Sequence, residues 1–450
     1  MIPTGGRQMG RDGTKPVAHT GRGFAVPRRR PVRSAARRAA CGAIPLAIAL
    51  ASAPHAAADG DRRDSFAITN AAVFDGRHLL PQRTVLVRDG LIAAIGDRLD
   101  PGDLPVIDGS GATLLPGFID GHTHTRFATE LQEALAFGTT TVLEMGTRPE
   151  HLRELAAAAA TRTDVADLRS PSLIATAPQG HGAQYGLDAP ISAAAEAERF
   201  VAERAAEGAT YIKVVLNGVR HIRFGTPRLD AATVSALVAA SHARRMPVYL
   251  HAENEDDFLL GVAAGVDGFA HHWRDAGERP ALAEQVARSG AFVVPTLTAP
   301  DRLNDGQSEL LRDDRIGPRL SAAAKARLAE RNPVFTTVSM DVSCGAVTSL
   351  RDAGVLIAAG SDAGSPGIVH GASMHRTLTL LVRCGLSEVE ALRSATADAA
   401  TAFGLADRGR IAQGMRADMQ LVRGDPTRVI SDSRNLLRVW RAGIETPLGP

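Results

Sequence analysis

Residues 114–125 read "LLPGFIDGHTHT": an apolar run that ends in two histidines, His122 and His124, one residue apart. In a strand, alternate side chains share a face, so both imidazoles converge on one point. Two rings on one strand can chelate a metal, or they can be hydrogen-bonded core residues. The choice depends on what the rest of the chain brings to the same place.

Seven further β-type apolar runs follow: "TTTVLEMG", "SLIATAP", "TYIKVVLNG", "PVYLHAEN", "DGFAHHW", "AFVVPTL" and "VLIAAGSDAG". Helical stretches rich in Ala, Glu and Arg separate most of them, such as "ISAAAEAERFVAERAAEGA" and "DAATVSALVAASHARRM". Strands apolar on both faces that alternate with helices predict a parallel α/β fold. Eight such units predict a (β/α)8 TIM barrel over residues 116–404, with "DRIGPRLSAAAKARLAERNP" as inserted helix before the last strand. Both ends of the chain read differently. Short strands broken by Asp-Gly occupy "FAITNAAVFDG" and "RTVLVRDGLIAAIG", and similar runs recur in "DMQLVRGD" and "LLRVWRAG". A composite small β domain, a β-sandwich built from residues 59–115 and 405–450, is expected.

The first 58 residues stand apart. They hold ten Lys and Arg against one Asp, which leaves 41 basic and 48 acidic residues in the remainder. The formal charge of +2 therefore hides an acidic protein, and a nucleic-acid partner is not indicated. "RRRPVRSAARRAA", then "CGAIPLAIALASA", then "PHAAADG" has the layout of a signal peptide: charged start, short apolar core, small residues for cleavage. Ala56 and Ala58 fit the cleavage site, and the core is too short to span a membrane. The alternative is a basic leader from a misassigned start, with Met9 as another candidate. Export to the periplasm or medium is expected, with no membrane association after removal. Beyond the leader only Cys344 and Cys384 remain, so a cysteine-ligated metal site or a disulfide scaffold is excluded by count.

Several strands carry a metal-capable residue near the C-terminal end: His122 and His124, Lys213, His251, His271 and His272, and Asp362. In a barrel those ends open on one face, where active sites lie. Singly, each has an ordinary structural explanation. Five strands placing such residues on one rim argue jointly for a metal site.

These motifs resemble the amidohydrolase superfamily of metal-dependent hydrolases from about Phe66 onward. "LPGFIDGHTHT", "GATYIKVV", "VYLHAEN", "GVDGFAHH", "AAGSDAG" and "GRIAQGMRADMQLVRGDP" carry the resemblance. With "HGASMHRTLTLLVRCGLSEVEALRSAT" they look most like the imidazolonepropionase-like and Xaa-Pro-dipeptidase-like branch. The resemblance implies two divalent metal ions, zinc foremost. His122, His124 and Asp362 would hold one and His251 and His271 the other, with Lys213 bridging as an N6-carboxylated side chain. A free ammonium cannot bind a dication, but burial favours the neutral amine, which takes up carbon dioxide. One-metal relatives lack this lysine, which weighs against their activities. His271 rather than His272 occupies the family position, and His272 is expected to face the helices. Glu253 stands at the wrong offset for a catalytic role and is expected on the opposite face.

The implied reaction is hydrolysis of an amide-type C–N bond in a small molecule, an N-acyl amino acid or dipeptide, by a metal-bridging hydroxide. Asp362 would relay the proton to the leaving nitrogen. Because "HAEN" also resembles hydantoinase-type enzymes, a cyclic amide is the second reading, with lactones and phosphotriesters open to the same metals. A degenerate, non-catalytic barrel would have lost ligands, and none is missing. Substrate contacts are sought in His181 and Tyr185 of "APQGHGAQYG", in Arg220 and Arg223 of "LNGVRHIRFG", and in His370, which could instead support a ligand from behind. A homo-oligomer is the assembly the relatives suggest.

Overall fold

The computed structural model describes residues 64–216, 227–303, 308–330 and 339–449. The leader 1–58 and the expected substrate contacts Arg220 and Arg223 lie outside the described residues.

Both chain ends enter one sheet. Strands β1 (Phe66–Phe74), β2 (Leu79–Arg88), β3 (Leu91–Gly96), β4 (Val106–Asp108) and β5 (Ala112–Pro116) come from the N-terminal part. The C-terminal strands, numbered below, join them through β5. Asp89 and Gly90, both at positive φ, close the β2–β3 hairpin with the two-residue turn that Asp-Gly favours. Gly90 has a second reason to lack a side chain: a Cβ there would lie 2.6 Å from the Ala442 carbonyl of another hairpin tip.

The parallel part begins one residue after β5. It comprises β6 (Phe118–Thr123), β7 (Thr139–Glu144), β8 (Asp167–Arg169), β9 (Ile174–Thr176), β10 (Asp188–Pro190), β11 (Ile212–Val215), β12 (Val248–His251), β13 (Gly268–Ala270) and β14 (Phe292–Val294). β6, β7 and β8 pair in parallel in that order. β9, β11, β12, β13 and β14 form a second parallel sheet, with β10 beside β9. Residues 356–363 lie between β14 and β6. Val293 N donates to Leu356 O on one side, and Asp362 N to His122 O at 2.8 Å on the other. Each of β6, β7, β11, β12, β13 and β14 is buried along its whole length, so none shows the polar alternation of a strand with one solvated face. Helices Ala231–Ala243 and Glu255–Ala264 start on side-chain caps, Asp230 to Thr233 N and Asn254 to Asp257 N.

The sheet is completed by β15 (Met419–Arg423), β16 (Leu436–Arg441) and β17 (Ile444–Thr446). Hydrogen bonding runs continuously through all eight strands, so the expected sandwich is one hydrogen-bonded sheet rather than two facing ones. Its apolar cluster, with Ile68, Val85, Leu114, Met419 and Trp440, is separate from that of the parallel part. A third cluster draws Ile119, Leu143, Tyr249 and Phe292 from four of the parallel strands and packs them with Ala358.

Two features link distant parts of the chain. Asp167 on β8 pairs with Arg408 and, at 3.1 Å, with Arg416, which fastens the C-terminal segment to the parallel strands. Cys344 and Cys384 form a disulfide. The sequence count excluded a disulfide scaffold and missed this single bridge. Pairing depends on proximity, and the bridge joins the helix Met340–Asp352 to the residue that caps the helix Ala372–Arg383, across 40 residues of chain.

Candidate metal centre

His122, His124, Lys213, His251, His271 and Asp362 line one cavity at the C-terminal ends of the parallel strands. His122 Nε2 and His124 Nε2 lie 3.6 and 3.3 Å from Asp362 Oδ1. The backbone bonds between β6 and residues 359–363 bring these three together, because they align the two strand ends in register. Asp120, fully buried on β6, holds that register from behind. Its Oδ1 accepts from Ser361 N at 2.8 Å and from His122 N at 3.2 Å.

The second group sits opposite. His251 ends β12, and its ring lies 4.3 Å from that of His271 between centroids. His271 follows β13 with φ of 72°, in the left-handed region. That conformation costs a β-carbon-bearing residue of order 1 kcal/mol and is held here by the surrounding structure. Asp362 shares it, with φ of 60°. Thr296 Oγ1 bonds His271 Nδ1 at 2.6 Å and orients the ring. His272 does not line the cavity; its Nδ1 meets the Pro295 carbonyl at 2.7 Å.

The electrostatics suit cations. Burial holds the His122 and His271 imidazoles well below their usual range, so both are neutral at pH 7. Burial pushes the Asp362 carboxyl up, but its bond to His124 and the nearby His122 and Arg302 side chains outweigh that and hold it below the carboxylate range. Lys213 is lowered to about 7, chiefly by burial. Nδ1 of His122 and His124, Nε2 of His251 and Nζ of Lys213 are buried and have no hydrogen-bond partner among the described residues. A cluster of imidazoles, an ionised carboxylate and orphaned donor atoms fits divalent metal ions and fits a packed core poorly.

Of the expected substrate contacts, His181 and Tyr185 line the same cavity; the His181 ring is 5.2 Å from that of His251. His370 does not line it. Its Nε2 bonds Thr125 Oγ1 at 3.1 Å, so it supports the histidine strand from behind. Glu253 departs from expectation. Strand geometry stops at His251, alternation lapses, and Glu253 turns into the cavity with Oε2 3.7 Å from His251 Nε2. Three arginines that the sequence did not single out, Arg126, Arg274 and Arg302, also line the wall. Arg126 follows the histidine motif and Arg274 stands three residues after His271, which is the only signal either offered.

Glu144, at the end of β7, is also buried behind the site. Burial raises it to about 8 against bonds from Ser170 and Gly146.

This arrangement belongs to a known class. The chain is a member of the amidohydrolase family, whose model matches residues 113–444, and is a hydrolase. It is 29% identical over 396 residues to the imidazolonepropionase of Deinococcus deserti, across 81% of this chain and 92% of that enzyme. A solved Xaa-Pro dipeptidase with methionine bound in its active site superposes with a TM-score of 0.70 at 20% identity, over 85% of this chain and all of that one. A prolidase complexed with N-methylphosphonate-L-proline gives 0.69 at 22%, over 85% and 99%. At such identities the two structures speak for the fold.

Proposed function

We propose that this protein is a binuclear metal-dependent hydrolase of a linear amide, an N-acyl amino acid or dipeptide, working in a closed (β/α)8 barrel. One observation carries the reading: Lys213 lies fully buried among His122, His251, His271 and Asp362, with no partner for its amine among the described residues. A one-metal site has no use for that amine, whereas a carboxylated Lys213 would bridge two ions. His122, His124 and Asp362 would hold one ion, His251 and His271 the other, and zinc suits the set. When bound, the ions acidify water and polarise the scissile carbonyl.

The protein's own groups do the rest. The Asp362 carboxylate, ionised at neutral pH, accepts the proton of the attacking water and passes it to the leaving nitrogen. His181, whose ring lies beside that of His251, would donate to the carbonyl oxygen as negative charge develops there. Tyr185 and Ile174 supply apolar wall for the substrate body. Export is the setting that fits: the leader has signal-peptide layout, and the Cys344–Cys384 bridge suits an oxidising compartment. Among the described residues no helix is long and apolar enough to cross a membrane.

The test is amine release from dipeptides, N-acyl amino acids and cyclic amides, with and without a chelator. Chelator-sensitive cleavage of linear amides is expected. Turnover of cyclic amides alone would refute the substrate assignment, and chelator-resistant turnover would refute the metal.

A further inference from the structure

Among the described residues, Arg274 holds only one of its three guanidinium nitrogens in a hydrogen bond. The side chain is 7% exposed; its Nη1 donates to Glu253 Oε1 at 2.6 Å, and its backbone N donates to Glu253 O at 2.8 Å. Nε and Nη2 are buried and have no partner among the described residues. Leaving two charged donors unmade in a protein interior is costly, so the pair is informative.

These two atoms form the side-on edge of the guanidinium, where two N–H groups point the same way. Elsewhere in this chain the same edge grips a carboxylate. Arg376 Nε and Nη2 each lie 2.9 Å from an oxygen of Asp301, and Arg162 Nε and Nη2 each lie 2.8 Å from an oxygen of Asp164. The matching ligand is a planar anion with two oxygens about as far apart as the two nitrogens. Arg274 lines the cavity that holds His251, His271 and Asp362, and Arg126 and Arg302 add positive charge to the same wall.

We infer that Arg274, held in place by Glu253, is the clamp for a substrate carboxylate, which makes the preferred substrate one with a free carboxylate close to the scissile amide. This rests on the reading of the cavity as the hydrolytic site. Glu253 is a positioning residue here: its bonds to Arg274 Nη1 and backbone N fix the guanidinium plane and leave the opposite edge for the ligand. A neutral amide of the same shape offers that edge one acceptor and no charge. It should bind at least about tenfold more weakly, the scale of a charge-assisted pair.

The experiment uses a ligand that cannot be cleaved. 4-Oxo-4-phenylbutanoate replaces the amide nitrogen of an N-acyl amino acid by carbon; its primary amide is the neutral control. Calorimetric affinities for both are measured on the metal-loaded wild type, Arg274→Met and Arg274→Lys, with metal content and melting temperature determined on the same samples. Arg274→Lys keeps a cation opposite Glu253, and thus the fold, but lacks the fork. The wild type should prefer the carboxylate by at least about tenfold. That ratio should fall toward unity in Arg274→Met and to an intermediate value in Arg274→Lys, with metal content unchanged. A wild type without preference, or a ratio unaltered in both variants, would overturn the assignment. Amine release from the matching N-acyl amino acid is followed in parallel: preference without release rejects the hydrolytic reading and leaves the clamp standing.

Discussion

Lys213 makes the sharpest demand on experiment. An exposed lysine, at its ordinary value of 10.5, presents about three neutral amines in ten thousand at pH 7; lowered to about 7 by burial, Lys213 presents roughly half, a gain of about a thousandfold. Only the neutral amine attacks carbon dioxide. The sign follows: as pH falls through 7 the amine is protonated and carboxylation slows. At a fixed concentration of dissolved carbon dioxide, the initial rate should drop about fivefold from pH 7 to pH 6 and rise less than about twofold from pH 7 to pH 8. The assay strips the protein with a chelator, removes carbon dioxide, and re-adds metal with or without 13C-labelled bicarbonate. Bound metal and the labelled carbamate carbon are followed by elemental analysis and carbon NMR, so no substrate is needed. Bicarbonate should be required for full metal uptake, and Lys213→Met should show neither the label nor the second ion. Full uptake without bicarbonate, with no labelled carbamate, would refute the role given to Lys213.

Three further outcomes are expected. Asp362→Asn should lower kcat by about 10²- to 10⁴-fold, the span of general acid–base catalysis, with a smaller change in KM, and unaltered turnover in steady-state assays would exclude the proton relay. Removing the bridge with Cys344→Ser and Cys384→Ser frees a 40-residue loop. Chain entropy puts that at about 4 kcal/mol, or about 5 °C in melting temperature for a chain of this size; equal melting with and without reductant would show that the bridge contributes nothing. Asp167→Asn removes a carboxylate shared by Arg408 and Arg416, which keep Asp407 and Asp418 as partners, and should cost about 1–3 kcal/mol at pH 7 by denaturant titration. Burial raises the Asp167 carboxyl, but Arg408 and Arg416 outweigh it and hold the group below 3.8. Its contribution is therefore present above that pH and lost as pH falls below it, so the variant should show a flatter acid limb. An acid limb as steep as wild type would contradict that assignment.

Much of this molecule is written locally. Strand-length apolar runs with His, Lys or Asp at their ends identify both the parallel architecture and the five elements whose ends line the cavity, because the alternation of side chains along a strand is a property of adjacent residues. The turn at Asp89 and Gly90 is local in the same sense. What failed did so where local geometry stops. Alternation placed Glu253 on the far face, but the strand ends at His251, and the turn brings the carboxylate back to the cavity. His370 stands in sequence beside Asp362, yet folding puts it behind Thr125.

Long-range partners were illegible for a different reason. Nothing near Cys344 marks Cys384 as its neighbour, and nothing near Asp167 marks Arg408 and Arg416. Arg126, Arg274 and Arg302 read as ordinary charged residues until the strand ends close around one cavity. By itself the sequence determined which chemistry-bearing side chains sit at strand ends, since pitch and alternation are set by the backbone. Which of them meet, and which donors remain buried without a partner, only the tertiary structure decided, because contact and desolvation arise when distant segments exclude water together.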